Sequence, residues 1–215
     1  MKTKRLTESA MLLSIAIVLE LVSKMVIPEM PFGGQLTLAS MLPVVLISYR
    51  HGVKWGLVAG LGYAFLEMLL GAKTVAAAFQ PGYFGDGTLI GNAIIMCLMD
   101  YLVAFTALGL GGCFRSVIQK PDKALALGSM VALSARYAAH TASGYILFSG
   151  WAEWFFTQDS FPAWGAKLVE ALSPEMLGFV YSLVYNGMYM IPEIVITAAA
   201  AALISKAPRI VTKVN

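Results

Sequence analysis

The chain has 215 residues, of which 59% are hydrophobic and only 13% charged, with a formal net charge of +3. That apolar share is well above, and that charge share well below, those of ordinary soluble domains, which excludes a water-soluble globular fold. The composition is that of an integral membrane protein.

A hydrocarbon core about 30 Å thick needs roughly 20 apolar residues for one helical crossing. The first apolar run, 7–27, follows the basic start MKTKR. It is longer than a typical signal-peptide core and ends in no small-residue cleavage pattern, so it reads as a retained helix. The second run, 36–49, is short and carries Pro43, which predicts a kinked, tilted or partly spanning segment. Further spans are predicted at 53–71, 90–118, 125–150 and 178–204, with a long extracellular loop at 151–177. None of these runs alternates as a barrel strand would. The expected fold class is therefore an all-α integral membrane protein with six transmembrane helices in a single membrane domain, residues 1–215.

Basic residues set the orientation. One side collects Lys2, Lys4, Arg5, Arg50, Lys54, Arg115, Lys120, Lys123, Lys206, Arg209 and Lys213, against Lys24, Lys73 and Lys167 on the other. The asymmetry predicts that both termini are cytoplasmic and that the number of crossings is even. The net positive charge thus reflects topology and gives no support to nucleic-acid binding.

Cys97 and Cys113 fall on one predicted helix, 16 residues apart, and a rise of about 24 Å rules out a disulfide between them. The sequence carries no metal-ligand cluster, no nucleophile elbow and no phosphate-binding GxxxxGK[ST] motif, so no cofactor is expected and any ATP must be bound by another chain.

Against that background, Asp100 stands out within the apolar run IIMCLMDYLVAF. A carboxylate at mid-membrane costs about 2.5–3.5 kcal/mol even on lenient scales, so it faces a partner or a cavity. Counting helical rise from the outer surface puts Asp100 and His140 both about ten residues, roughly 15 Å, deep, with Tyr181 and Asn186 shallower on the same side. Two readings of Asp100 stand: a structural ion pair with Arg136, or a site awaiting a cationic or hydrogen-bonding ligand from outside. Tyr101 follows it, although helical geometry turns that side chain about 100° away, toward the ligand's surroundings or toward lipid. Glu20 and Glu67 lie near predicted outer helix ends, where solvation is the expected role, and Glu193 follows Pro192 inside the last span.

The 151–177 segment interleaves Trp151, Trp154, Phe155, Phe156, Phe161 and Trp164 with Glu153, Asp159, Glu170 and Glu175. Aromatic faces and acids suit a flat cation, while a membrane-interface belt accounts equally for any single aromatic. On the first helix, Ala10 and Ser14, followed by Ala16, make a small-xxx-small surface for close helix approach, either within the chain or to a partner.

The segments GGQLTLASMLPVVL (33–46), MDYLVAF (99–105), RYAAHTASGYILF (136–148) and YSLVYNGMYMIPE (181–193) resemble the thiamine-specific S component of energy-coupling factor (ECF) vitamin transporters. The resemblance extends in order and spacing through nearly the whole chain. It implies a six-helix protein of the cell membrane that captures extracellular thiamine and works with a transmembrane coupling subunit and two cytoplasmic ATPases. It makes Asp100 the acid opposite the thiazolium ring, and it lines the same pocket with Tyr101, His140, Tyr181 and Asn186. Asn186 and the tyrosines would suit the aminopyrimidine edge and polar tail. Trp151 and Trp154 become candidates for stacking on the ligand, although 151–177 and the segment TVAAAFQPGYFGDGTLIGN are longer than the family pattern. Ala10 and Ser14 become candidates for docking the coupling subunit. An S component for a different vitamin, an intramembrane enzyme using Asp100 and His140 as an acid–base pair, and a channel remain as alternatives.

Overall fold

A computed structural model of the chain describes residues 2–85, 90–159 and 163–212. Phe161, Lys213 and positions 86–89 of the segment before the fourth predicted span lie outside the described residues. The described residues form helices α1 (Lys2–Val26), α2 (Leu42–His51), α3 (Val53–Leu70), α4 (Ala72–Ala78), α5 (Ile90–Met96) and α6 (Ala104–Thr106). They continue as α7 (Pro121–Phe148), α8 (Ala152–Phe156), α9 (Trp164–Ala171), α10 (Pro174–Ile204) and α11 (Pro208–Val211). No strand occurs among them.

Among the described residues, four helical stretches are long and apolar enough to cross a bilayer: Thr3–Val26, Val53–Leu70, Ile90–Gly112 and Pro174–Ile204. The 28-residue α7 also has the length, but it carries Arg136, His140 and several hydroxyl side chains that lower its hydropathy. Outward faces are apolar, as lipid requires, with Met11, Ile15 and Val18 of α1 and Met188, Ile191 and Val195 of α10 exposed.

The predicted second span, 36–49, is divided. Residues 36–41 are not α-helical, and α2 starts only at Leu42, with Pro43 in its first turn where a missing N–H costs nothing. Irregular backbone within a membrane survives only where protein covers it, and most of the stretch is covered: Thr37, Ala39, Ser40 and Met41 are buried, while the apolar Leu38 faces outward. The 151–177 segment is likewise not an open loop, since α8, α9 and the first turn of α10 lie within it.

Two features hold the bundle together. The Ile90–Gly112 stretch changes winding along its length, from α through a π turn at Cys97–Val103 to a 3₁₀ turn at Ala107–Gly112. That last turn, ALGLGG, wedges between α2, α3 and α7. A Cβ at Gly109 would strike the backbone of Leu57 and Gly56, and one at Gly128 would strike the carbonyl of Gly111. The small residues therefore permit direct backbone contact, the packing mode open to helices that gain no hydrophobic driving force from lipid. Ser48 locks the contact, its hydroxyl donating to the Gly109 carbonyl and accepting from Gly112 N at 2.9 Å. The second feature is the α7–α10 pair, joined by Ser182 Oγ donating to Thr141 O at 2.7 Å and Tyr137 OH donating to Leu183 O at 2.8 Å.

Replacing Gly109 by Leu forces side-chain atoms into the α3 backbone, and overpacking of this kind costs about 1–3 kcal/mol or more. Thermal unfolding in detergent should show a clearly lower midpoint for Gly109→Leu. Gly91→Ala, where a Cβ meets nothing within 4 Å, should not lower it.

Candidate ligand-binding site

One cavity opens in the interior between α1, the chain before α2, α3, the π turn, α7 and α10. Its lining includes Asp100, Tyr101, His140, Tyr181 and Asn186. Asp100 accepts from Ser143 Oγ at 2.8 Å, and its other oxygen lies 2.9 Å from His140 Nδ1. A carboxylate can only accept, so His140 presents Nδ1–H to it. His140 sits on α7 one turn past Arg136, and Ser143 follows at i+3, so a single helix face supplies both partners of Asp100.

The structural ion pair between Asp100 and Arg136 is not formed. Arg136 instead lies over the Phe105 ring, 4.4 Å from its centroid, and directs Nη1 toward the Met41 sulfur at 2.6 Å. The Asp100 carboxylate is therefore left to hydroxyl and imidazole donors, a setting in which a cationic ligand meets no resident counterion at that point.

Tyr101 also lines the cavity, which ordinary helical geometry would not give alongside Asp100. The reason is the π turn at Cys97–Val103, whose wider winding rotates consecutive side chains less and brings both toward the interior. Asn186 is buried and internally spent: Nδ2 donates to Ser182 O at 2.9 Å and His140 O at 3.3 Å, and Oδ1 accepts from Tyr189 OH at 2.6 Å. It positions Tyr189 and α7 at the cavity wall.

Trp151 and Trp154 are not among the lining residues. They form an outer aromatic layer, packing on Phe32 with centroid separations of 5.4 and 6.3 Å, and Phe32 itself lines the cavity. Trp151 Nε1 also donates to Tyr83 O at 3.3 Å. Burial, with the Asp100 charge adding to it, pushes the Tyr83 hydroxyl up to about 12, so that phenol stays neutral. Phe32 has φ 66, and Gly33 next to it has φ 98. A bulky residue in the left-handed region carries strain, and here it turns the ring inward against Phe148 at 5.4 Å.

Glu20 and Glu67, expected at solvated helix ends, are instead buried, 5% and 4% exposed, and both line the cavity. The stretch before α2 closes over these helix ends, with Leu38 N donating to Ser23 Oγ, Gln35 Nε2 donating to Ile27 O, and Gly33 against Thr74. Ser40 Oγ donates to Glu20 at 2.8 Å. Glu193 is fully buried and accepts from Thr37 N at 2.6 Å, Thr37 Oγ1 at 2.8 Å and Thr197 Oγ1 at 3.1 Å. It pins the irregular stretch to α10 just past Pro192. Sequence reasoning also passed over Tyr185 and Tyr189, although the i, i+4 spacing of Tyr181, Tyr185 and Tyr189 marks one face of α10. Phe32 and Ser143 carried no comparable signal.

On α1, Ala10 and Ser14 are exposed and Ser14 Oγ donates to Ala10 O at 2.9 Å, while Ala16 faces the interior. The small-residue surface at 10 and 14 thus points away from the chain's own core. Among the described residues, no group of three or more His, Cys, Asp or Glu is placed to hold a metal ion.

Residues 6–154 match the profile of the thiamine transporter protein family (Thia_YuaJ). The chain is similar to the thiamine transporter ThiT of Bacillus subtilis (strain 168), with 33% identity over 216 residues, covering 96% of this chain and 93% of that protein. The solved structure of ThiT from Listeria monocytogenes superposes with a TM-score of 0.64, covering 98% of each chain at 18% identity, a likeness of fold.

The Thr37–Glu193 contact has a measurable cost of removal. Thr37→Val keeps the shape but takes one hydroxyl donor from a buried carboxylate, which costs about 1–3 kcal/mol. Thermal unfolding should show the loss for Thr37→Val and recovery of most of it for Thr37→Ser.

Proposed function

Because the chain belongs to the thiamine transporter protein family, we propose that it captures extracellular thiamine and serves as the substrate-binding subunit of an ATP-driven ECF transporter. The observation that carries this reading is Asp100: a carboxylate within the apolar Ile90–Gly112 stretch, lining an aromatic-walled cavity, with hydroxyl and imidazole donors but no Lys or Arg paired to it. Thiamine carries a permanent positive charge on a flat ring. A desolvated site for it needs a fixed countercharge and ring faces, and the cavity supplies Asp100 together with Tyr101, Phe105, Phe148 and the tyrosines of α10.

In this reading Asp100 stands opposite the thiazolium ring and His140 orients it. Tyr101, Tyr181 and Asn186 complete the wall, and Trp151 and Trp154 back the entrance through Phe32. The whole chain, 1–215, forms a single six-helix domain of the plasma membrane with both termini cytoplasmic, consistent with the biased distribution of Lys and Arg. The exposed Ala10 and Ser14 offer the close approach that a transmembrane coupling subunit needs. ATP is hydrolysed by two separate cytoplasmic subunits.

Equilibrium binding to the purified chain in detergent tests capture, by quenching of tryptophan fluorescence with thiamine and with riboflavin and biotin as controls. Thiamine alone should quench; absence of thiamine binding by folded protein would move the reading to another ligand. Truncating one partner of a buried charge pair costs about 2–5 kcal/mol, so Asp100→Asn should weaken thiamine binding roughly 30-fold or more with little change in unfolding midpoint. An unchanged affinity would remove Asp100 from the site. Ala10→Trp should leave thiamine binding intact while abolishing co-purification with the coupling subunit, and normal assembly would reject docking at that face.

A further inference from the structure

At the end of the bundle where α7 stops and α10 starts, α8 and α9 form a layer outside the cavity, and no α9 residue is among its described lining. α9 has two faces. Gly165 is buried and Leu168 and Val169 pack toward the core, whereas Trp164, Lys167 and Ala171 turn outward. Trp164 rests against the Phe156 ring of α8, centroids 6.1 Å apart, and is still 46% exposed. A half-exposed indole beside an exposed lysine is costly in plain water and well suited to a boundary that is apolar on one side and wet on the other.

Helix α10 sets the level at which this happens. Its outward apolar residues begin with Met176 and Phe179 and continue through Met188, Ile191 and Val195 to Leu203. From Met176 to Leu203 the helical rise is about 40 Å, which is a hydrocarbon core of about 30 Å with part of the polar boundary added. Met176 therefore stands at the headgroup boundary. α9 does not rise above that level, because the α8 residues it rests on pack deeper along α10. Phe155, beside Phe156 at 5.2 Å, meets Tyr181 at 5.2 Å and Tyr185 at 6.0 Å, both farther into the span than Met176. The outward face of α9 is thus continuous with the lipid-facing surface of α10.

We infer that α9 is an interfacial anchor whose partner is the phospholipid surface: Trp164 seats its indole at the boundary between headgroups and acyl chains, and Lys167, its i+3 neighbour, extends its ammonium to the lipid phosphates. The bilayer then braces the layer over this end of the bundle, since the same ring contacts run from Trp164 through Phe156 and Phe155 to α10. The inference stands independently of what the cavity binds.

Lipid-selective quenching of tryptophan fluorescence tests it, with the chain reconstituted in phosphatidylcholine vesicles. The chain has four tryptophans, Trp55, Trp151, Trp154 and Trp164. Trp164→Phe removes one indole and keeps a ring against Phe156, so the emission lost in this variant is that of Trp164. For a ring seated about 5–10 Å into the boundary, that emission should be quenched at least about twofold more by phosphatidylcholine brominated high on its acyl chains than by lipid brominated near the chain ends. Aqueous iodide should quench it little. Joint replacement of Trp55, Trp151 and Trp154 by Phe leaves Trp164 as the sole emitter and should give the same order of quenching without a subtraction. Strong iodide quenching with no effect of brominated lipid places Trp164 in water and overturns the anchor. Stronger quenching by the deep bromines places it in the hydrocarbon core and overturns the headgroup contact of α9 as well.

Discussion

Everything in this molecule follows from having no water inside the bilayer with which to settle a polar group. In a soluble domain a stray carboxylate turns outward, but in lipid it must find donors within the protein or face a cavity. The chain before α2 is the clearest consequence. Residues 36–41 depart from the α-helix, and Thr37 and Ser40 deliver their backbone and hydroxyl groups to Glu193 and Glu20. Polar groups from three segments, α1, the pre-α2 chain and α10, are thus bound into one buried network. That network forms the wall against which the cavity is shaped.

The same constraint explains why the helices are held by small residues and carbonyls more than by large apolar side chains. Leu, Ile and Val lie as comfortably in lipid as against another helix, so they give no preference for the folded pairing. Contact selectivity comes from places where only the right partner fits. Gly109 against Leu57, Gly128 against Gly111 and Ser48 between the Gly109 carbonyl and the Gly112 N–H are of that kind. They fix the 3₁₀ end of the Ile90–Gly112 stretch, and with it the angular setting of the π turn that carries Asp100 and Tyr101.

Much of this architecture was legible from simple counts. Apolar share and run lengths gave the membrane class, and helical rise from a common surface put Asp100 and His140 at one depth, where the structure has them 2.9 Å apart. What stayed hidden had physical causes that counting does not reach. A regular 100° per residue turned Tyr101 away from Asp100, whereas a π turn brings both inward. Proximity to a helix end suggested solvent for Glu20 and Glu67, but the pre-α2 chain folds over those ends. The pairing of Thr37 with Glu193 joins positions 156 apart in sequence, and no local pattern encodes it. Arg136 looked like the obvious partner of Asp100, until the Phe105 face and Met41 claimed it.

That last substitution of partners shapes the chemistry of the cavity. Had Arg136 paired with Asp100, the pocket would be electrostatically closed, and a cationic ligand would have to displace a fixed charge to enter. Held over Phe105 instead, the guanidinium rests on a ring face that stabilises it, and it makes no ion pair with Asp100. Asp100 is stabilised by donors that carry little charge of their own, so its field remains directed into the cavity. The protein therefore holds a partly buried acid with no Lys or Arg against it in the same compartment as a buried guanidinium that rests on a ring face. On the proposed thiamine reading, a ligand that brings a positive charge answers Asp100 without having to displace Arg136 from it.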